Sequence, residues 1–186
     1  MKKRKFVITN MVASASLGLE LDLFSLAQKI KEVEYEPEQF PGAILKFKDP
    51  KASLLLFKNG KVVCVGCKRR DIIKKTIDKT IKLLTPYAKK IIRKKRPKIE
   101  ITNIVASAAL GMDLDLYKVA SKLDDVEYEP EQFPGAILKF KDPKASLLLF
   151  KNGKVICAGA KTEEEIEKTL NKAKKLLKGY VDKRSS

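Results

Sequence analysis

The chain has 186 residues, with 40 Lys and Arg against 23 Asp and Glu, a formal net charge of +17. A balance this basic points to a polyanionic partner, although 34% charged residues with abundant Lys and Glu also suit a protein of hot environments. Histidine is absent and only three Cys occur, which leaves no ready ligand set for zinc and disfavours an enzyme; no cofactor is expected.

No apolar run is long enough to cross a bilayer, and the basic start Lys2-Lys3-Arg4-Lys5 precedes only a short apolar stretch, so a soluble intracellular protein without a membrane or secretory leader is expected. The charge is lopsided: residues 1–98 hold 25 Lys/Arg against 9 Asp/Glu, a net +16, and the remainder 15 against 14, a net +1.

In chain order, an apolar strand over residues 6–15 leads through a Leu-Gly turn to a short amphipathic helix near 22–31, with Asp22 placed as its N-cap. A brief strand near 33–35 and the loop Glu36-Pro37-Glu38-Gln39-Phe40-Pro41-Gly42 follow. Three strands come next, 43–48, 52–57 and 61–66, broken by Asp49-Pro50 and by the hairpin signal Lys58-Asn59-Gly60. A long helix over about 70–92 carries the stripe Ile72, Ile73, Ile77, Ile81, Leu84 and Ile91.

The same signals then repeat. Residues 33–62 recur letter for letter as 126–155, displaced by 93 positions. The second strand is expected over 99–108, the short helix over 115–123 behind Asp115, and the long helix over 162–178, capped by Thr162 with Glu165 in the capping-box position. Two repeats follow, 1–98 with its basic helix and linker, and 99–186. Two joined copies most simply pack about a pseudo-twofold axis, which suits a nearly twofold target such as duplex DNA.

The order β-α-β-β-β-β-α argues an α+β unit, an antiparallel sheet with its helices on one face. Joined edge to edge, two units give one curved ten-stranded sheet. Ser53–Phe57 and Val62–Val65 are apolar on both strand faces, and helices can cover only one. The bare face must meet a partner or a ligand, or invite dimerisation of the free protein. Apolar and rimmed by lysine, it suits the floor of a minor groove better than a major-groove reader. Cys64-Val65-Gly66-Cys67 reads as strand, where residues three apart point to opposite faces, so neither disulfide nor chelate is expected and the thiols are read as small buried residues.

Over essentially its whole length the chain resembles the TATA-box-binding protein family in its compact archaeal form. The motifs are Asn10-Met11-Val12 and Asn103-Ile104-Val105, the loop 35–42 and its copy 128–135, Leu56–Val62 and its copy 149–155, and Val65-Gly66-Cys67-Lys68 with Ala158-Gly159-Ala160-Lys161. The resemblance implies a saddle with helices on its convex face, and a general transcription initiation factor that kinks double-stranded, A·T-rich promoter DNA from its minor groove. Wedge insertion and kinking are known behaviour of that family, not a deduction from these residues. It also implies a place in cytoplasm, at the nucleoid, for an archaeal chain, or in the nucleus for a eukaryotic one.

By the resemblance, Phe40 with Phe57 and Phe133 with Phe150 are two wedge pairs. Asn10 and Asn103, poor strand formers among apolar neighbours, lie at the centre of the site, where their amides can meet the acceptors of A·T pairs. Val12, Leu55, Val63 and Val65, with Val105, Leu148, Ile156 and Ala158, line the groove floor. Val65 and Ala158 stand where eukaryotic members commonly have threonine, so van der Waals contact replaces hydrogen bonds there. Lys46, Lys51, Lys61 and Lys68, with Lys139, Lys144, Lys154 and Lys161, occupy phosphate-contacting positions. Glu129 and Glu131 fall in the loop that docks transcription factor B and, through it, RNA polymerase. Because the loop of Glu36 and Glu38 is identical, the +16 against +1 asymmetry is the expected source of orientation. The competing reading is a sheet-face module for single-stranded nucleic acid or RNA, whose stacking aromatics usually sit mid-strand rather than at loop and strand ends.

Overall fold

The computed structural model describes residues 5–93 and 95–182; Lys2-Lys3-Arg4 and Lys94 of the basic tracts lie outside the described residues. The first run of elements is β1 (Phe6–Ser16), β2 (Leu19–Glu20), α1 (Leu23–Lys29), β3 (Val33–Glu34), β4 (Ala43–Lys48), β5 (Lys51–Leu56), β6 (Lys61–Cys67), α2 (Arg70–Leu84) and β7 (Lys90–Ile91). The second is β8 (Glu100–Ala109), α3 (Leu116–Lys122), β9 (Val126–Glu127), β10 (Ala136–Lys141), β11 (Lys144–Leu149), β12 (Lys154–Ala160) and α4 (Glu163–Leu177). The fold is α+β, with a ten-stranded antiparallel sheet in the order β3-β4-β5-β6-β1-β8-β12-β11-β10-β9. The chain divides into two compact units: Asn10–Thr102, and the described parts of Met1–Thr9 with Asn103–Ser186.

In the unit Asn10–Thr102, cross-strand register aligns Leu45, Leu54, Cys64 and Ala13 in one row, all buried. The helix α2 packs on β6 and buries Ile73, Ile77 and Leu84. Period-2 alternation in the strands therefore meets period-3.6 alternation in the helix, which is why each element forms. Thr76 and Thr80 are also fully buried, and their hydroxyls donate back to the carbonyls of Ile72 and Thr76, both at 2.8 Å. The other unit repeats the row as Leu138, Leu147, Cys157 and Ala106, beside the buried Ile166, Leu170, Ala173 and Leu177 of α4.

The expected caps form. The amides of Ser25 and Lys118 each donate to Oδ1 of Asp22 and Asp115 at 3.1 Å. Thr162 Oγ1 accepts from Glu165 N at 3.1 Å, while the Glu165 carboxylate reaches the amide of Lys161 at 2.7 Å, one residue earlier than in an ordinary capping box.

The first long helix is shorter than the 70–92 read from sequence. It ends at Leu84, because Pro86 has no N–H to continue the ladder, and the chain passes through a 3-10 turn at Thr85–Tyr87. Lys90–Ile91 then pairs with Leu19–Glu20 as a two-stranded ribbon. Ile91 therefore leaves the apolar stripe and is 46% exposed.

The reading of the two thiols on opposite faces is also overturned. On β6 three steps separate Cys64 from Cys67, but their partners Ala13 and Met11 on β1 are two steps apart, so β6 carries one extra residue. This bulge, with Gly66 at φ +90°, resets the alternation. Both thiols turn into the core, with Sγ atoms 3.8 Å apart.

Candidate nucleic-acid interface

Opposite the buried rows, each unit presents a second set of side chains that are half-buried or, at Lys46, Ile137 and Lys139, exposed. In the unit Asn10–Thr102 the register gives one row of Ile44, Leu55, Val63 and Ser14, and another of Lys46, Ser53 and Val65. Val12 and Asn10 continue the same alternation along β1. The counterpart rows are Ile137, Leu148, Ile156 and Ser107, and Lys139, Ser146 and Ala158, with Val105 and Asn103 on β8. All eight aliphatic residues named for the groove floor thus share the half-buried face of their own unit. The serines, Ile44 and Ile137 on these rows were missed from sequence, although the period-2 pattern contains them.

The aromatic rings meet in pairs. Phe57 continues the Ser53–Leu55 alternation at the end of β5 and meets Phe40 edge to face, with centroids 5.9 Å apart at 67°. Phe133 and Phe150 repeat this at 6.0 Å and 64°. Phe40 is 38% exposed and Phe133 44%, which does not suit core residues. The loop is set by Gln39 N and Phe40 N, which both donate to the Glu36 carbonyl at 3.0 Å. A Cβ at Gly42 would lie 2.7 Å from Cε1 of Phe40 and 3.3 Å from Cε1 of Phe57. Glycine is what lets the loop bring its ring down onto the strand.

The half-buried face borders open depressions. One, of about 920 Å³, is lined by Phe6, Val7, Ser107, Phe150 and Ile156 among others; another, of about 550 Å³, by Ser14, Phe57, Lys61 and Val63.

The lysines divide into two groups. Lys46 Nζ lies 2.9 Å from both carboxylate oxygens of Glu34, and Lys139 pairs with Glu127 through Oε1. Lys51, Lys61, Lys68, Lys144, Lys154 and Lys161 are exposed and make no ion pair among the described residues. Lys48 and Lys51 stand directly opposite each other in the β4–β5 hairpin, as do Lys141 and Lys144. Like charges so placed repel until an anion arrives. Glu36, Glu38, Glu129 and Glu131 are all exposed. Of the linker cations, Lys89 lies 3.4 Å from Glu20 and Arg96 3.3 Å from Asp78.

Asn10 and Asn103 are the residues whose surroundings say most. Each is half-buried mid-strand, and each spends its side-chain oxygen inside its own unit. Asn10 Oδ1 accepts from Gly66 N at 2.8 Å, and Asn103 Oδ1 from Gly159 N at 2.7 Å.

Burial pushes the Cys64 thiol up to about 12, with Cys67 beside it adding to the shift, and Cys157 up to about 11. These are core groups, not reactive ones. Among the described residues no cluster of three or more His, Cys, Asp or Glu side chains could hold a metal, and no helix is long and apolar enough to cross a membrane.

A family model described as transcription factor TFIID, or TATA-binding protein, matches residues 5–87 and again 98–180. The chain belongs to the TATA-binding protein family. The TATA-box-binding protein of Picrophilus torridus is 47% identical over 175 residues, covering 93% of this chain and 94% of that one. That of Thermococcus kodakarensis is 42% identical over 180 residues, covering 97% and 94%. The solved structure of Methanococcus jannaschii TBP superposes with a TM-score of 0.85 at 39% identity, over 95% of this chain and 99% of that one. Membership makes the chain a transcription factor rather than an enzyme.

Proposed function

We propose that the chain is a general transcription initiation factor that binds the minor groove of A·T-rich, TATA-type promoter DNA. The carrying observation is that each unit turns a row of aliphatics away from its core and ends it with a Phe pair, one ring exposed and the other half-buried. Val12, Leu55, Val63 and Val65, with Val105, Leu148, Ile156 and Ala158, lie along the groove floor. They offer the exocyclic amine of guanine no acceptor, so A·T pairs are selected by exclusion. The Phe40/Phe57 and Phe133/Phe150 pairs enter base steps as wedges, most easily at flexible TA steps, as known for the family.

The lysine rim holds phosphate. Lys46 and Lys139 must trade Glu34 and Glu127 for a phosphate oxygen, a small cost because exposed ion pairs are weak. Glu129 and Glu131 receive transcription factor B, which brings RNA polymerase. The repeats act as 1–98 and 99–186, and the excess charge of the first orients the complex.

Competition binding tests this reading. A duplex carrying an A·T element is set against its G·C-substituted counterpart and against each single strand, over a salt series. The expected result is preference for the A·T duplex. The eight rim lysines should make log K fall against log salt with a slope of about −7, at roughly 0.9 per phosphate neutralised. Equal or tighter binding of the single strands would instead establish a stacking module for single-stranded nucleic acid.

A further inference from the structure

Gly66 and Gly159 are the residues that the function above leaves unused. Each is the glycine of a bulge, in β6 and β12, at φ +90° and +94°. The neighbouring residues differ between the copies, Val65 against Ala158 and Cys67 against Ala160, yet glycine and its Asn partner recur in both. Side-chain room is not the reason: a Cβ at Gly66 would come no nearer than 3.7 Å to Ala52 Cα, and one at Gly159 3.5 Å from Ala145 Cα. The backbone angle is the reason, since L-residues with a side chain rarely adopt it.

The bulge frees one backbone N–H from the ladder and aims it at the side chain of Asn10 or Asn103. Only the carboxamide oxygen can face an N–H, because the nitrogen would set two donors head to head. The amide is thereby held in one of its two orientations, and Nδ2, a pure donor, becomes the outward end. A free amide could turn over and offer its oxygen instead. That choice matters in a minor groove, where A·T pairs show only acceptors and guanine adds a donor.

We propose that Gly66 and Gly159 are specificity-determining positioning residues: their bulge amides lock Asn10 and Asn103 donor-outward, so the asparagines accept A·T pairs and reject guanine. This rests on the minor-groove reading given above. The lock itself exists without DNA, which lets the two be tested apart.

In the free protein, backbone hydrogen exchange of Gly66 and Gly159 reads the lock directly. Both glycines are exposed, so the Asn oxygen is the shield. Asn10→Leu should accelerate exchange at Gly66, and Asn103→Leu at Gly159, by about tenfold or more, the factor that one hydrogen bond of about 1.4 kcal/mol represents. Unchanged exchange overturns the proposal, whatever DNA does.

The DNA arm replaces each A·T pair of an element in turn by G·C or by inosine·C, which lacks the guanine amine. The unsubstituted protein should penalise guanine over inosine by about tenfold at the pairs under the asparagines. Gly66→Ala, which lets the amide turn, should cut that penalty to about threefold or less at one of those pairs, and Gly159→Ala at the other, within the range of a weak polar contact. A full penalty in folded glycine variants overturns the proposal. Absence of any A·T preference in the unsubstituted protein overturns the minor-groove reading instead. If the glycine variants do not fold, Asn10→Asp decides: it keeps an oxygen for Gly66 N–H but presents a second acceptor outward. Guanine should then be tolerated and A·T weakened at that pair; an unaltered guanine penalty overturns the proposal.

Discussion

The two units share 30 consecutive residues without a change, yet their helices have diverged. The N-cap position of α2 is Arg69, whose side chain makes no cap and instead pairs with Asp71 at 2.7 Å; that of α4 is a capping Thr162, with three glutamates in the helix's first turn. After α2 the chain forms the β2–β7 ribbon and enters a basic linker; in the second unit Leu114 bridges Val181, next to the last described residue, Asp182. Phe24 is 63% exposed; its counterpart Tyr117 stacks edge to face on Tyr128 at 5.2 Å. The Phe loops are identical and the half-buried strand faces stay small and apolar, with only Val63 to Ile156 and Val65 to Ala158 changed among the groove-floor aliphatics, while the helical surfaces diverged. On the reading proposed above, the shared surface of each copy would meet a target alike at both ends, while the helical surfaces carry no such requirement.

Truncating the Phe pairs tests that likeness with the largest effect. Phe40→Ala with Phe57→Ala, and separately Phe133→Ala with Phe150→Ala, should each weaken duplex binding by about 2–6 kcal/mol, taking 1–3 per stacked ring. The two losses should match within a factor of a few in a titration by fluorescence anisotropy. A loss confined to one pair would show that the copies are used unequally.

Next come the cores. Leu54 and Leu147 are both fully buried in matching rows, and replacing either by alanine should lower unfolding free energy by about 2–5 kcal/mol in denaturant melts.

Alkali supplies a third comparison. Folding keeps Cys64 and Cys157 protonated, up to about 12 and about 11, against an ordinary value of 9.0. Their contribution is therefore intact below pH 9. It is lost as pH rises, because the unfolded thiols ionise first, and the loss ends where the folded thiols ionise. Each should cost about 1 kcal/mol between pH 9 and 10, and Cys64→Ala or Cys157→Ala should flatten that slope in pH-jump melts.

The smallest difference concerns the helix starts. Thr162→Ala should destabilise by about 1 kcal/mol, while Arg69→Ala, which removes only an exposed ion pair, should cost a few tenths.

Much of this architecture was legible because the repeat fixes order and the two periodicities fix faces. Asp22, Asp115 and Thr162 announced their helices, and the alternation around Leu55 and Val63 announced a second apolar face. What failed was local geometry. A helical stripe carried on to Ile91 ignored Pro86, whose missing N–H ends the ladder. Reading Cys64 and Cys67 as opposed assumed unbroken alternation, although Gly66 inside a strand is itself a signal for a bulge. The same oversight hid the partner of Asn10. A mid-strand asparagine was recognised as needing satisfaction, but the partner of its oxygen, the Gly66 amide, was not foreseen. The Lys46–Glu34 pair needed the β3–β4 register, which a two-residue edge strand does not announce.

The central claim is that both Phe pairs act together on one A·T-rich duplex. Energy transfer between dyes at the two ends of a short duplex tests it most directly. Added protein should raise transfer on the A·T element and leave a G·C-substituted duplex unchanged, and alanine at either pair should abolish the rise. Equal binding of both duplexes with no change in end-to-end distance would contradict the account and leave a basic, duplicated protein without wedges.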